Sequence, residues 1–300
     1  MTTRIFEGPI DHSTDVGYRA WVAELHTYLA AVGLVQTSDT GQINTATVTR
    51  TINVSTGYSI WRFSDSSLYL KFTWGNAWGP AIAIPAIGIQ VGTGSNGSGT
   101  LTGQTSTLAT SQVAALPDST AVPYTTYLSH TSNFFCLVWK MNSVSAAYPL
   151  SVIVVGKSVD GTGAATVTGF GVATLGTTSG ANPNSAVAGG TLVFQSVRIA
   201  STAATYNSLT QSYCLIPGQP TSSFDGSNIA AFLCWMQTPD VAPFPWMFAY
   251  CNVDLPKLNS VTATLVGSSS HTYLLLGRIG STGNIAGNSG ATYGLAVAFE

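Results

Sequence analysis

The feature that most limits how this chain can fold is one amphipathic helix followed almost entirely by strand and turn patterns. Between residues 15 and 33, apolar side chains recur at three- and four-residue steps, which places them on one face of a helix. They are Trp21, Leu25, Tyr28, Leu29 and Val32. Ser13, Thr14 or Asp15 can cap the start, and Gly33 can end the helix in a left-handed turn. The apolar stripe must be buried on a sheet of the same chain or on a neighbouring subunit.

An aromatic β-hairpin is predicted after the helix, over residues 57–74. Residues 57–63 fit one strand and residues 64–67 fit a turn. Apolar residues then alternate with more polar ones, which is typical of a strand with one buried face. The buried face carries Leu68, Leu70, Phe72 and Trp74. Another strand is predicted over residues 81–91, interrupted or edged at Pro85 because proline cannot donate a ladder hydrogen bond.

Short strand patterns recur through the rest of the chain, separated by turn signals. They cover residues 134–141, 150–157, 165–173, 192–199, 213–216, 229–237, 246–252, 261–266, 273–278 and 293–299. Asp160-Gly161 predicts a hairpin turn between two of them, and residues 267–271 predict another. This spacing favours an antiparallel β-sandwich or barrel-like architecture. The predicted fold class is therefore mainly β, with one N-terminal amphipathic helix.

Two arrangements of domains fit these patterns. In the first, residues 1–103 form a docking module of helix and aromatic hairpin, and residues 104–300 form a β-sandwich-like domain. In the second, the chain is one continuous domain. The glycine-rich segment 92–103 is predicted to be a long hairpin loop or the seam between two halves. Residues 1–14 are predicted to be a polar arm that becomes ordered in an assembly, and residues 47–54 fit a short edge strand.

The low charge of the chain limits its possible partners. Charged residues make up 7% of the sequence, against about 25% in a typical soluble domain. Ser, Thr, Asn and Gly supply the polar surface instead, which suits an assembled or extracellular protein whose surface is covered by neighbours. A net charge of −2 provides no basic surface for nucleic acid or anionic lipid. The longest apolar run, residues 81–89, is too short for a transmembrane helix, which needs about 20 residues.

The cysteines and the N-terminal residues bear on where the chain is made. Cys136, Cys214, Cys234 and Cys251 lie among apolar neighbours without a C-x-x-C pair, which predicts buried, reduced thiols. The N-terminal residues lack the apolar core of a secretory signal. An extracellular-like surface without an export signal or a disulfide framework fits a virion protein. Such a protein is made and assembled in the host cytoplasm and released by lysis.

Several segments carry a resemblance to a known group of proteins. YRAWV at 18–22, LAAVGL at 29–34, TSDTGQI at 37–43, GYSIWRFSD at 57–65 and VGTGSNGSG at 91–99 resemble, in that order, virion structural proteins of tailed bacteriophages. The resemblance covers mainly residues 17–103, while PFPWMFAY and the C-terminal strand are similar in kind. It implies a component of a phage particle, without specifying head, tail, baseplate or fibre, and it carries no catalytic signature.

Catalytic and cofactor motifs are weak in this sequence. Residues 92–97 match G-x-G-x-x-G, but a dinucleotide site also needs a helix that begins there, and the following residues have no helical stripe. A flexible loop is therefore predicted, and no cofactor. The chain has no P-loop and no G-x-S-x-G elbow. Five aspartates lie near turns, where Asp commonly stabilises the turn: Asp65, Asp118, Asp160, Asp225 and Asp240. A depolymerase that uses two distant carboxylates stays open.

The histidines do not form a metal-binding pattern. His12, His26, His130 and His271 are scattered along the chain, and none has a second ligand at metal spacing. No metal site is therefore predicted. His26 is expected to be exposed on the polar side of the helix, and His271 is expected in a hairpin turn.

The tryptophans are the remaining candidates for contact residues. Most aromatic residues lie within apolar strand patterns, which favours core packing. Trp78 lies in a Gly/Pro turn and is a candidate exposed anchor for a ligand or a partner subunit. Trp21 on the helix, with Trp61 and Trp74 on the hairpin, belongs to the proposed docking module and is a further candidate contact.

Three functions are compatible with the sequence. The first is a non-enzymatic structural component of a phage virion, in a tail, baseplate or fibre, which assembles with copies of itself and with other virion proteins. The second is a receptor-binding fibre or spike protein that recognises host surface glycans. The third is a capsid decoration protein. None of the three involves nucleic acid binding or membrane insertion.

Overall fold

The computed structural model describes the chain in segments. They are residues 2–10, 14–51, 55–76, 85–105, 109–112, 122–142, 150–160, 162–175, 193–199, 202–204, 207–208, 214–215, 221–222, 231–238, 240–250, 260–263, 270–280 and 291–300.

The described elements are one helix and a series of strands. In chain order they are β1 (Thr2–Ile10), α1 (Asp15–Ala31), β2 (Val35–Gln36), β3 (Ser55–Arg62), β4 (Tyr69–Asn76), β5 (Pro85–Gly92), β6 (Gly94–Ser95), β7 (Leu101–Thr102), β8 (Ala109–Gln112), β9 (Val122–His130), β10 (Phe134–Met141), β11 (Leu150–Val159), β12 (Ala165–Leu175), β13 (Val193–Ile199), β14 (Thr202–Ala204), β15 (Asn207–Ser208), β16 (Cys214–Leu215), β17 (Thr221–Ser222), β18 (Ala231–Thr238), β19 (Asp240–Tyr250), β20 (Ser260–Ala263), β21 (His271–Gly280) and β22 (Ala291–Ala298).

The strands form three antiparallel sheets and one short hairpin. The large sheet has the order β1-β9-β10-β11-β12-β13-β14, and β15 also pairs with β13. The C-terminal sheet has the order β16-β18-β19-β22-β21-β20-β17, and the hairpin sheet has the order β2-β3-β4-β5-β8. Strands β6 and β7 pair with each other. The predicted fold class is confirmed, since the described chain is mainly antiparallel β with one N-terminal helix. Every strand predicted between residues 134 and 299 overlaps an observed strand.

Both ends of α1 follow the predicted capping chemistry. The Thr14 hydroxyl accepts a hydrogen bond from the Gly17 N–H at 3.0 Å. At the other end Gly33 adopts a φ of 93°, and the N–H groups of Gly33 and Leu34 donate back to Ala30 and Leu29. These two bonds form a Schellman motif, which only a residue tolerant of positive φ can complete. The helix is confirmed, with both of its ends.

The aromatic hairpin is also confirmed. Strands β3 and β4 pair from Arg62 opposite Tyr69 to Ser55 opposite Gly75. The predicted inward-facing set on and beside β4 is 0% exposed: Leu68, Leu70, Phe72 and Trp74. Trp21 of α1 meets Trp74 edge-on, with ring centroids 5.6 Å apart. The apolar stripe of α1 is therefore buried inside its own chain, against the hairpin sheet.

The large sheet is buried on both faces in its middle strands. Phe135, Leu137 and Ile153 point to one face and join the same apolar cluster as α1 and the hairpin sheet. Phe134, one residue along β10, points to the other face and stacks on Trp246 of β19, with centroids 5.0 Å apart. This double burial explains the continuous apolar sequence of β10. The apolar cluster also contains residues from both sides of position 103, so the proposed domain boundary does not coincide with a break in this core.

The prediction for the N-terminal arm was wrong. Residues 2–10 form β1, which pairs with β9 from Thr2 opposite His130 to Ile10 opposite Val122. Pro9 is tolerated because β1 is an edge strand of the large sheet. Strand β9 was not predicted either. Both strands gain their hydrogen bonds from partners distant in sequence.

The short edge strand predicted over residues 47–54 is absent from the part of it that the structure describes, residues 47–51. The Val48 N–H donates within a turn to the Asn44 carbonyl at 2.9 Å. The Arg50 N–H donates to the Asp15 carboxylate of α1 at 2.7 Å. These local bonds use main-chain groups that a strand would need for a ladder.

Candidate functional site

The tryptophan contact sites predicted from the sequence require correction. Trp21, Trp61 and Trp74 are 3%, 2% and 0% exposed. The indole N–H groups of Trp61 and Trp74 both donate to the Ser59 hydroxyl, at 3.2 Å and 2.9 Å. All three rings are core residues, so they present almost no surface to a ligand or a partner. Trp78 lies outside the described residues.

His26 is not exposed, contrary to the prediction. Its ring lies 5.3 Å from the rings of both Trp61 and Trp74, and its Nε2 atom is buried without a hydrogen-bond partner. Burial lowers the pKa of His26 to about 4. The physical reason for the wrong prediction is the width of the apolar face. Val22 is fully buried, and His26 lies one helical turn further on the same side.

His130, at the end of β9, is a buried histidine, with 4% of its surface exposed. Its Nδ1 atom lies 3.1 Å from the Val32 carbonyl at the end of α1, and its Nε2 atom is buried without a partner. Burial lowers the pKa of His130, although the hydrogen bond to Val32 acts in the opposite direction. Among the described residues, no three His, Cys, Asp or Glu side chains come together as a metal site.

His271 was predicted in a hairpin turn, but it is the first residue of β21. Its Nδ1 atom pairs with the Glu300 carboxylate, and its ring packs against Trp246 at 5.3 Å. Ser129 of β9 both donates to and accepts from main-chain atoms of Glu300, at 2.6 Å and 3.0 Å. Ser129, His271 and Glu300 therefore do not form a relay, because the serine hydroxyl is bonded to backbone. The group fastens the last strand of the C-terminal sheet to the large sheet.

The glycine-rich segment 92–103 contains a short hairpin of β6 and β7, which agrees with the predicted hairpin loop, but hydrogen bonds to Asp39 anchor it, so it differs from the flexible loop that was also expected. Asp39, which is 8% exposed, organises it. Burial acts to raise the pKa of Asp39, but hydrogen bonds from Ser95, Thr37, Gly99 and Gly97 hold it below its ordinary value. No helix begins here, so the geometry lacks the helix N-terminus that a dinucleotide site needs.

Two of the aspartates that were predicted to stabilise turns do so in the structure. Asp65 accepts from the Ser67 N–H at 3.1 Å, and Asp160 accepts from the N–H groups of Thr162 and Ala164 at 2.8 Å and 3.0 Å. The Asp160-Gly161 hairpin prediction is confirmed by the pairing of β11 with β12. Asp118 and Asp225 lie outside the described residues, and Asp240 begins β19.

Asp65 also forms the main ion pair between layers. Its carboxylate lies 3.1 Å from Nζ of Lys157 on β11, a lysine that is 5% exposed. Burial acts to raise the pKa of Asp65, but hydrogen bonds from Ser67 and the charge of Lys157 lower it below its ordinary value. This pair joins the turn of the hairpin sheet to the large sheet.

The exposed junction of β1 and α1 is a different kind of candidate site. Phe6 of β1 stacks on Tyr28 of α1, with centroids 3.6 Å apart, and the Tyr28 hydroxyl donates to the Glu24 carboxylate. A cleft of about 10 Å³ opens between Gly8, Glu24 and the buried ring of Trp139, which is room for about one water molecule. A cleft of this size does not hold a substrate. The feature with binding capacity is the edge of β1, where Ile5 is 57% exposed.

Sequence reasoning missed this edge. The signal was present in TTRIFEGPI, which is rich in β-branched and aromatic residues, but Pro9 argued against a strand. Among the described residues, no helix combines the length and apolar character that would cross a bilayer. Comparison of the chain with protein-family models, with curated proteins and with solved structures finds no match in any of the three.

Proposed function

We propose that the protein is a non-enzymatic structural component of a bacteriophage virion, in a tail, baseplate or fibre, and that it assembles with copies of itself. The observation that carries the proposal is the use of its few ionisable side chains. Asp39 ties one loop to another, the Asp65–Lys157 pair ties the hairpin sheet to the large sheet, and the His271–Glu300 pair holds the C-terminal residue against β21. A side chain held in this way supports a rigid scaffold.

Composition and the resemblance to phage virion proteins supply the rest of the support. With 7% charged residues, the chain has little charge with which to keep a large free surface soluble. Assembly with neighbouring subunits covers such a surface. The resemblance over residues 17–103 supports a phage particle as the place of assembly, and other virion proteins are the further partners that we propose.

The test is the location and copy number of the protein in purified virions, measured by quantitative mass spectrometry and by antibody labelling in the electron microscope. A low copy number at the tail end is the expected result. Several hundred copies over the head would instead identify a capsid decoration protein. Absence from purified particles would refute a virion role altogether.

Host-glycan recognition is the second candidate function, and its test is a separate one. Rings that stack on sugars must be exposed, whereas Trp21, Trp61, Trp74, Trp139 and Trp246 are all at most 3% exposed. These five tryptophans therefore favour the structural role. Binding of the full chain to a host glycan array would instead favour glycan recognition over the structural role.

A further inference from the structure

We propose that β1 pairs antiparallel with β1 of a second copy of this chain, so that the large sheet continues across a two-fold axis. This deepens the proposed assembly function by naming the surface and the partner. The pairing itself is tested in solution, independently of any particle.

The first step is the unpaired edge of β1. Among the described strands, β1 has β9 on one side and no neighbour on the other. Pro9 lies opposite Pro123, and neither residue has a main-chain N–H, so this pair occupies a non-hydrogen-bonded position in the ladder. The register between β1 and β9 has no shift. Odd-numbered residues of β1 therefore direct their N–H and C=O groups away from β9.

The second step is the side chain at the centre of that edge. Ile5 is an odd-numbered residue, and 57% of it is exposed. An antiparallel pair related by a two-fold axis normal to the sheet must join residues of the same parity, because both copies present the same face. With Ile5 opposite Ile5 of the second copy, the two exposed side chains cover each other. Thr3 then lies opposite Glu7 of the second copy.

The third step is charge complementarity. Arg4 lies on the same face as Phe6, since the two are separated by two positions, and its Nη1 atom bonds only the neighbouring Thr3 carbonyl at 3.0 Å. In the proposed register Arg4 stands opposite Phe6 of the second copy and diagonal to Gly8. A Cβ on Gly8 would lie 3.2 Å from the Glu24 carboxylate. The second copy's Glu24 is therefore within reach of the Arg4 guanidinium.

The two-fold axis makes this contact reciprocal. Each copy supplies one arginine and one glutamate, so the interface contains two equivalent ion pairs beside the small cleft at Gly8. When the Thr3 carbonyl accepts the N–H of Glu7 of the second copy, it releases Arg4 to make this pair. A second copy covers the exposed isoleucine, pairs the outward backbone groups and gives Arg4 of β1 an opposite charge in Glu24 of α1.

The experiment is sedimentation equilibrium of the full chain at neutral pH and low salt. We expect a monomer–dimer equilibrium that Arg4→Glu weakens at least about tenfold, because it places two like charges together. The double variant Arg4→Glu with Glu24→Arg restores the opposite charges. It is expected to return to within about threefold of the original dissociation constant.

The register has a separate test. The Cα atoms of a hydrogen-bonded antiparallel pair are about 5.5 Å apart, which is within the range that a disulfide spans. Ile5→Cys is expected to form a covalent dimer under mild oxidation. The matched control is Val35→Cys, because Val35 is also an exposed aliphatic residue (39%) on an edge strand, β2. It is expected to remain monomeric on a denaturing gel.

The outcomes separate this proposal from the proposed function. A chain that stays monomeric, or a dimer that neither charge reversal nor Ile5→Cys affects, overturns the β1 pairing. Arg4, Glu7 and Pro9 would then serve to protect the edge from pairing. The virion role would still stand if the protein is found in particles. A dimer with the predicted responses that is absent from particles would refute the function and retain the interface.

Discussion

The packing of the His26 ring beside two tryptophan rings, with its Nε2 atom buried, predicts a specific loss of stability in mild acid. The pKa of this imidazole is lowered from 6.5 to about 4, so the folded protein holds it neutral while the unfolded chain protonates it near pH 6.5. Between these values the unfolded state binds more protons. Stability must therefore fall as the pH is lowered through that window and must be unaffected by His26 above it.

The magnitude follows from the shift. Each pKa unit corresponds to about 1.4 kcal/mol, so His26 removes at most about 3 kcal/mol of unfolding free energy between pH 6.5 and pH 4. That is a large part of the ~5–15 kcal/mol by which a typical domain is stable. Replacing the ring by an apolar side chain, as in His26→Leu, keeps contact with Trp61 and Trp74 and removes the titration.

The assay is urea unfolding followed by tryptophan fluorescence, at half-unit pH steps from 7.5 to about 4. His130 is present in both proteins, and its own lowered pKa gives both a common acid sensitivity. The difference in unfolding free energy between wild type and His26→Leu therefore reports the contribution of His26 alone. It is expected to be constant above pH 6.5 and to favour the variant increasingly below it. Parallel stability curves over the whole pH range would show that His26 is not held neutral by burial.

Two further predictions concern the ties between loops and layers. Gly99→Ala is expected to destabilise the fold by about 1–3 kcal/mol in urea unfolding, because the residue has a φ of 93° and the new Cβ would lie 2.4 Å from the Tyr58 ring. Gly97→Ala is the matched control, with a φ of 80° but nothing within 4 Å of the Cβ, and equal losses for the two would contradict the steric argument. Asp65→Asn leaves Lys157 buried without its 3.1 Å partner and is expected to cost about 1–3 kcal/mol in calorimetry. Lys157→Met combined with Asp65→Asn should recover part of that loss, and no recovery would place the effect in the turn alone.

Local chemistry was the part of the fold that the sequence could predict. The Thr14 cap, the Gly33 termination and the alternation from Leu68 to Trp74 depend on neighbours in the chain, and all three are present in the structure. Strands β1 and β9 depend on each other across more than a hundred residues. Pro9 excludes a central strand but not an edge strand, and the position of an edge is known only once the sheet is assembled.

The candidate site shows the same difference between features that depend on sequence neighbours and features that depend on distant partners. Tryptophans are suited to contact with a partner because they are large and amphipathic, yet in a layered β protein the largest side chains also fill the space between sheets best. Trp74 and Trp246 occupy such positions, one on each side of the large sheet. His26 was placed on the polar face because the helical stripe was drawn without Val22, which is buried.

The low charge of the chain makes the exposed charge at the edge of β1 informative. Of the few ionisable side chains, Asp39, Asp65 and Lys157 hold loops and layers together inside the chain, which makes the scaffold rigid. Arg4 is different, because it lies exposed on an unpaired edge and bonds only the carbonyl beside it. Where charge is scarce and Asp39, Asp65 and Lys157 hold internal contacts, a charge at an unpaired strand edge is best explained by a role in recognition.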